Sequence, residues 1–243
     1  MGPLAGLGAV VTGGSRGIGR AIVRRLVADG ATVLFTYHTD EAAATEVVRA
    51  SNGAAMALRA DVSATAELDN VFAVVADKLD GLDILVNNAG LAAATPIAEM
   101  SEQEYDRLMA VNTKSVFFAI AHAARQMRDG GRIINISTLN TAAAAPGVAA
   151  YAGSKAAVEQ FTRSASKELG GRGITVNAVS PGATDTDLLR GANSPQVLAQ
   201  VPALTALGRL GTAEDIAAVV AFLAGPDGRW VTGQNLIAAG GLG

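Results

Sequence analysis

The sequence has no cysteine, two histidines and few aromatic residues among its 243 positions. Without cysteine it can form neither disulfides nor thiolate metal sites, and His38 and His122 are far apart along the chain, so we expect no bound metal. Aromatic residues make up 4% of the chain and hydrophobic residues 50%. This composition predicts a core of Ala, Val, Leu and Ile in which helices pack closely.

The sequence also lacks charge clusters and long apolar runs. The formal net charge is −3, and no stretch of Lys and Arg could follow a phosphate backbone, so we expect no nucleic-acid partner. The opening M-G-P-L-A-G-L-G has no basic segment ahead of an apolar one. We therefore expect neither a signal peptide nor a membrane span, and a cytoplasmic location.

A glycine-rich turn, T-G-G-S-R-G-I-G, occupies residues 12–19. A short apolar strand precedes it and helical apolar spacing follows it as far as Ala28. Its glycines allow a tight turn and a close approach to a pyrophosphate, with free N–H groups facing the anion. The spacing differs from the common G-x-G-x-x-G pattern, so an ordinary glycine-rich loop stays open as the alternative.

Tyr151 and Lys155 lie four residues apart in Y-A-G-S-K. On a helix this spacing puts the phenol and the ammonium on one face, where the lysine charge can favour the phenolate. Lowering a phenol pKa from about 10 by roughly 3 units needs about 4 kcal/mol. The pair therefore indicates proton exchange coupled to hydride transfer, the alternative being a packed ring beside a solvated charge.

Short apolar segments alternate with helical ones along the chain. This order predicts an α/β domain in which helices cover both faces of a parallel sheet, and we expect a single domain over residues 1–243. The predicted strands are 8–12, 32–37, 55–59, 83–87, 132–137, 175–180 and 235–238. The predicted helices are 18–28, 41–50, 64–79, 102–127, 152–169 and 213–224.

Taken together and in order, the motifs resemble those of the short-chain dehydrogenase/reductases, particularly the branch with the 3-oxoacyl carrier-protein reductases. The further matches are Asp61-Val62, N-N-A-G at 87–90, Asn112, Ser137-Thr138 and N-A-V-S-P-G at 177–182. The resemblance covers nearly the whole chain. It implies a Rossmann-like, doubly wound sheet of about seven strands, a nicotinamide dinucleotide across the carboxyl ends of the strands, and a homotetramer.

The resemblance also implies the site residues. Catalysis would use Asn112, Thr138, Tyr151 and Lys155, with Thr138 standing where relatives have serine and Asn112 helping to hold a water next to Lys155. Asp61 would accept a hydrogen bond from adenine, with a helix-capping turn as the alternative. The implied cofactor contacts are Gly13, Ser15, Arg16, Gly17, Ile18, Gly19, His38, Thr39, Asp61, Val62, Asn88, Ala89, Gly90, Tyr151, Lys155, Pro181, Gly182, Thr184 and Thr186.

The end of the second strand indicates which dinucleotide is bound. It reads F-T-Y-H-T, without the acid that an NAD-binding protein places there for the ribose hydroxyls, and Asp40 comes slightly late. Arg16 could pair with a 2′-phosphate, assisted by His38 or Thr39. We therefore predict NADP(H), the alternative being that Arg16 points into solvent.

These features predict a reductase for a small-molecule carbonyl substrate. Thr138 and Tyr151 would bind the carbonyl oxygen, and Tyr151 would supply the proton. Residues 187–204 form the predicted substrate lid, and Arg125, Arg128 and Arg172 are candidate contacts for an acyl carrier protein. Two alternatives stay open: an alcohol dehydrogenase working oxidatively, and a non-catalytic dinucleotide-binding regulator.

Overall fold

Seven parallel strands form one sheet in the order β3-β2-β1-β4-β5-β6-β7. The computed structural model describes residues 2–242. Its strands are β1 Gly8–Val11, β2 Thr32–Tyr37, β3 Ala55–Arg59, β4 Leu82–Asn87, β5 Met127–Ile136, β6 Thr175–Pro181 and β7 Asn235–Ala238. The strand order reverses between β1 and β4, which makes this pair the switch point where such sheets bind ligands. The predicted fold class is confirmed.

Helices cover both faces of the sheet because the buried strands are apolar on both sides. The helices are α1 Gly17–Ala28, α2 Glu41–Ala50, α3 Thr65–Lys78, α4 Glu102–Met109, α5 Ser115–Gln126, α6 Ala149–Leu169, α7 Asp187–Ala192, α8 Pro195–Leu204 and α9 Ala213–Ala224. In β1, Ala9 and Val11 pack in one core with α1, α2 and α9, whereas Val10 packs in the other with α3, α5 and α6.

The helix predicted over 102–127 is interrupted. A π-helical turn, Ala110–Lys114, separates α4 from α5, and β5 begins at Met127. The turn widens the helix at Asn112, whose side chain hydrogen-bonds the backbone of Leu91. The segments on both sides of this turn are helical, so the composition alone does not mark the interruption.

The predicted lid, residues 187–204, contains the two short helices α7 and α8, which the sequence reading did not predict. Thr186 and Ser194 cap them, and Pro195 begins α8. Neither helix buries a residue, and Pro202 lies inside α8. They were missed because helices without a buried face leave no apolar periodicity to detect.

Two glycines of the turn between β1 and α1 are required by close approach. Gly13 has φ +69°, and a Cβ on it would lie 3.0 Å from Ala89 Cα. A Cβ on Gly19 would lie 2.1 Å from the carbonyl oxygen of Gly13 and 2.5 Å from Asn88 Nδ2. The backbone can therefore pass this close to α1 only without a side chain at position 19.

We expect Gly19→Ala to lower the free energy of unfolding by about 2 kcal/mol, because the methyl group meets backbone that cannot move aside. Urea denaturation measures the change. Gly153→Ala is the matched control: it lies in α6 with open space around it, and should stabilise the protein by about 0.5–1 kcal/mol. Equal effects of the two substitutions would contradict the steric account.

Candidate active site

A cavity of about 750 Å³ opens at the carboxyl ends of the strands. Its wall is built by the residues that follow β1 to β6, so one crevice collects segments far apart in the sequence. All of the predicted site residues except Asn112 line it. They are Gly13, Ser15, Arg16, Gly17, Ile18, Gly19, His38, Thr39, Asp61, Val62, Asn88, Ala89, Gly90, Thr138, Tyr151, Lys155, Pro181, Gly182, Thr184 and Thr186.

Hydrogen bonds hold the glycine turn in place. Thr12 Oγ1 accepts from the backbone N–H groups of Asn88 and Ala89, both at 3.0 Å, and Asn88 Nδ2 donates to the carbonyls of Thr12 and Gly13. Arg16 stands at the N-cap of α1 without a side-chain cap. The first N–H groups of α1 therefore have no side-chain partner at the N-cap, which suits an anion.

The opposite wall of the cavity lies close to the glycine turn. A Cβ on Gly17 would lie 3.5 Å from Thr186 Cγ2, so the segment after β6 meets the glycine turn across the cavity. Thr186 is the N-cap of α7 and accepts from Leu189 N–H at 3.3 Å. Thr184 Oγ1 donates to the Gly182 carbonyl at 3.1 Å. These bonds fix the loop that leads into residues 187–204.

At the end of β2 the cavity wall is formed by exposed polar side chains. Arg16, His38 and Thr39 all line it. Asp40 lines the cavity as well, but its Oδ1 accepts from Ala43 N–H at 2.9 Å and caps α2. The cavity here presents a guanidinium, an imidazole and a hydroxyl group beside this capping carboxylate.

Asp61 forms the Asx turn with Ser63 that the sequence left as an alternative, but it does not cap α3, whose N-cap is Ala64 without a side-chain bond. Its Oδ1 accepts from Ser63 N–H at 3.0 Å and Ser63 Oγ at 2.7 Å, while Oδ2 lies 3.8 Å from His38 Nε2. Partial burial opposes ionisation, but the bonds from Ser63 and the charges of His38 and Arg107 hold the pKa of Asp61 below its ordinary value.

Lys155 is 4% exposed, and its Nζ donates to the Ile136 carbonyl at 2.8 Å. Burial lowers the pKa of this lysine to about 8. Burial raises the pKa of the Tyr151 phenol, and hydrogen bonding to Thr138 opposes the rise. The net direction for the phenol is upward, because desolvation outweighs the hydrogen bond with Thr138.

Thr138 and Ser137 face opposite ways. β5 ends at Ile136, but the backbone stays extended at Thr138 (φ −158°, ψ 150°), so successive side chains alternate. Ser137 Oγ donates to Glu159 Oε1 at 2.7 Å; Glu159 does not line the cavity, although Ser137 itself does. Thr138 is the hydroxyl group next to Tyr151.

Asn112 is fully buried behind the cavity wall. Its Oδ1 accepts from Leu91 N–H at 2.8 Å, and its Nδ2 donates to the Leu91 carbonyl at 2.9 Å and to Ser154 Oγ at 3.1 Å. A Cβ on Gly90 would lie 3.3 Å from Lys155 Nζ and 3.4 Å from Asn112 Oδ1. Asn112 therefore joins the loop after β4 to α6 close to Lys155, and Ser154 is a partner that no sequence signal marked.

Some residues of the cavity wall belong to no motif that the sequence analysis recognises. Arg107 reaches the cavity from α4, and Tyr37 ends β2 beside it. Nothing in their local sequence distinguishes them from surface residues, because tertiary packing alone brings them to the wall.

The arginines considered for a carrier protein do not line the cavity. Arg128 pairs with Asp80 and Asp83, and Arg172 pairs with Asp129. These residues lie where strands begin, at the opposite edge of the sheet from the cavity within one chain. Arg125 ends α5 at the same edge.

Within residues 2–242, no helix is long and apolar enough to span a bilayer. In the same range, no three His, Asp or Glu side chains are placed to hold a metal ion.

The glycine turn, the Asn-Asn-Ala-Gly segment and the Tyr-Lys pair face one crevice, and comparison with known proteins explains the arrangement. A family model described as enoyl-(acyl carrier protein) reductase matches residues 13–243. The chain belongs to the short-chain dehydrogenase/reductase family. As a short-chain dehydrogenase/reductase it is an oxidoreductase by family, and the resemblance read from the sequence is confirmed.

Relatives of this short-chain dehydrogenase/reductase match over nearly their full length. A hydroxynaphthalene reductase-like protein of Metarhizium brunneum is 39% identical, with 98% of this chain and 95% of that protein covered. A metagenomic blue fluorescent protein in complex with NADPH superposes with TM-score 0.94, 43% identity and 99% coverage of both chains. An angucycline C-6 ketoreductase with bound NADP superposes with TM-score 0.92 and 40% identity, covering 99% of this chain and 97% of that one.

The buried lysine should make stability depend on pH. Its pKa is about 8 in the folded protein against 10.5 as the ordinary value, so between these pH values the unfolded chain holds a proton that the folded chain has lost, and stability rises with pH. Lys155→Met removes this penalty. Allowing for the one hydrogen bond that is lost, we expect the free energy of unfolding of the variant to exceed that of the wild type by about 2 kcal/mol at pH 7.

Urea denaturation at pH 7 and pH 10.5 measures this difference, which should shrink or reverse at the higher pH. Lys167→Met, at an exposed position of the same helix, is the control and should change stability little at either pH. A gain from Lys155→Met that is the same at both pH values would contradict the burial account.

Proposed function

We propose that the protein is an NADPH-dependent reductase that converts a ketone to an alcohol. The observation that carries the proposal is the placement of the Tyr151 phenol, the Thr138 hydroxyl and Lys155 on the wall of the same cavity as the glycine turn. A proton donor, a carbonyl-binding hydroxyl and a dinucleotide cradle then serve one reaction.

The residues present fit NADP(H). Backbone passes where a Cβ on Gly19 would collide, and the N-terminus of α1 faces the cavity without a side-chain cap, as a pyrophosphate requires. Arg16 and His38 line the cavity near the end of β2, and Asp40 is the N-cap of α2. This arrangement favours a 2′-phosphate over free ribose hydroxyls. Two solved relatives carry NADPH or NADP.

Bound NADPH would supply the hydride. The protein's own groups would orient the ketone and move the proton: Thr138 and Tyr151 would donate hydrogen bonds to the carbonyl oxygen, and Tyr151 would transfer its proton to the forming alkoxide. The raised phenol pKa keeps Tyr151 protonated before transfer. The Lys155 charge, desolvated in this wall, would stabilise the phenolate that remains.

Asn112 would complete the proton path. Its contacts with Leu91 and Ser154 hold it near Lys155, where a water bound beside the lysine could restore the proton from solvent. Asp61 would accept from adenine through Oδ2, which the Ser63 turn leaves available.

The lid favours an apolar ketone. Leu188, Leu189, Leu198 and Val201 line the cavity from residues 187–204, opposite the small residues 91–94. The names of two relatives refer to hydroxynaphthalene and angucycline reduction, so we propose an aromatic or aliphatic ketone. The distance of Arg128 and Arg172 from the cavity within one chain weighs against a carrier-bound substrate.

We further propose that residues 1–243 act as one domain in a cytoplasmic homotetramer. Large apolar side chains stay exposed on α5 and near β7, namely Phe117, Phe118, Trp230 and Ile237, and contact between copies would cover them.

The two alternatives differ in their support. An alcohol dehydrogenase working oxidatively would use the same residues, because the reaction is reversible. A regulator that only binds the dinucleotide would not need the Thr138 hydroxyl beside the Tyr151 phenol. The geometry therefore favours an enzyme.

The proposal predicts NADPH-selective turnover with a panel of ketones that includes a 3-oxoacyl thioester, followed as loss of absorbance from the reduced nicotinamide. Tyr151→Phe should reduce kcat by about 10²–10⁴-fold, because it removes the acid, and leave the Kd of NADPH unchanged. Tyr105→Phe, at an exposed site, is the control. Comparable turnover by Tyr151→Phe would remove the tyrosine from the acid role, and tight NADPH binding without wild-type turnover would favour the regulator.

Arg16→Ala should raise the Kd of NADPH about ten- to hundred-fold and leave that of NADH nearly unchanged, because only NADPH has the 2′-phosphate that the guanidinium would bind. Fluorescence titration of both dinucleotides measures the two constants. Arg24→Ala, at an exposed position of the same helix, should change neither. An unchanged Kd for NADPH in Arg16→Ala would defeat the assignment.

A further inference from the structure

α6 carries a buried carboxyl group that the proposed reaction does not use. Glu159 is 8% exposed and lies four residues beyond Lys155, on the same side of the helix. It does not line the cavity. A carboxyl group in this position costs free energy unless its hydrogen bonds are formed, so its partners show what it is placed to hold.

The two closest partners flank Thr138. Glu159 Oε1 accepts from Ser137 Oγ at 2.7 Å and from Thr141 Oγ1 at 2.6 Å, while Ser180 Oγ lies farther away at 3.5 Å. Ser137 precedes Thr138, and Thr141 ends the 3₁₀ turn that follows it, Leu139–Thr141. One oxygen atom therefore holds both sides of the segment that presents the Thr138 hydroxyl.

That segment forms only a few short bonds of its own. Its turn is three residues long, and Thr138 Oγ1 caps it by accepting from Asn140 N–H at 3.3 Å. The Thr141 hydroxyl also lies 2.9 Å from the Thr138 carbonyl, so its single proton is shared between that carbonyl and Glu159. A single 3₁₀ turn is weakly stable alone, so the bonds to α6 add to the pairing of Ser137 N–H with the Val179 carbonyl in holding Thr138 in place.

The same helix carries Tyr151. α6 runs without interruption from Ala149 to Leu169, so Tyr151 and Glu159 move as parts of one rigid element. The phenol and the anchor of the Thr138 segment are thereby kept at a fixed spacing, eight residues or about 12 Å apart along the axis.

We infer that Glu159 is a positioning residue, which holds Ser137 and Thr141 so that the Thr138 hydroxyl reaches the substrate carbonyl together with the Tyr151 phenol. The inference rests on the proposed ketone reductase activity. It adds to that activity a residue outside the cavity that controls its geometry.

Glu159→Leu should lower kcat and kcat/KM together by about ten- to hundred-fold, since a shift of about 1 Å at a reacting group can cost that much. The Kd of NADPH should stay within twofold, because the glycine turn lies on other elements. Glu159→Gln keeps an acceptor oxygen and should return kcat to within about threefold of the wild type. Wild-type kcat in Glu159→Leu, or a Gln variant as impaired as the Leu variant, would overturn the inference.

Thr141→Val is a second test, which applies even if Glu159→Leu unfolds the protein. It removes one of the two hydroxyl donors at a half-buried site, keeps the side-chain shape, and should lower kcat by a smaller factor. Its effect should be less than additive with that of Glu159→Leu, because both act on one contact. Ser166→Ala, which removes another buried hydroxyl on α6, is the matched control and should keep wild-type kcat.

Amide hydrogen exchange provides a readout that does not depend on turnover. Peptides covering residues 137–143 should exchange at least tenfold faster in Glu159→Leu than in the wild type or in Glu159→Gln, with the strands unchanged. Unaltered exchange in this segment would overturn the positioning role whether or not the wild type reduces a ketone. Absence of wild-type turnover, with faster exchange in the Leu variant, would overturn the proposed activity and leave the positioning role supported.

Discussion

The parallel pairing of β1 with β4 is the constraint on which the cavity depends. Val11 lies beside Val86 in the register, and Thr12 N–H donates to the Val86 carbonyl at 3.0 Å. This pairing puts the glycine turn next to Asn88 and Ala89, where Thr12 and Asn88 exchange hydrogen bonds. The strand order reverses here, so the helices that follow β1 and β4 leave on opposite faces and the crevice opens between them.

α6, a single rigid helix, carries three of the side chains that form or support that crevice. Tyr151, Lys155 and Glu159 repeat at four-residue spacing and meet three successive residues: Lys155 reaches the Ile136 carbonyl, Glu159 reaches Ser137, and Tyr151 lies by Thr138. A helix packed along the end of β5 thereby sets several distances at once. Reactive groups held this way keep their geometry better than groups on separate loops.

Burial of the polar groups at the site lowers the stability of the folded protein. Lys155 is buried with a carbonyl for a partner, and the Tyr151 phenol is desolvated beside it. Burial disfavours the charged forms of both side chains in the folded protein. It also strengthens the electrostatic interactions of any charge that forms during a reaction. Apolar packing on both faces of the sheet offsets this cost.

The sequence by itself determined the number and order of the strands, most helices and the motif residues of the cavity wall, because these depend on local periodicity and on short motifs with a direct chemical reason; β5 begins five residues earlier than predicted. Residues 32–37 and 41–50 read as a strand and a helix from their apolar spacing alone, and both have those bounds in the structure. The tertiary structure alone decided the π turn at Asn112, the hydrogen bond of Ser137 to Glu159, the burial that raises the Tyr151 pKa, and the joining of Glu159 to the Thr138 segment. Hydrogen bonds between distant segments and desolvation arise only when elements pack, and neither leaves a periodic pattern in the chain.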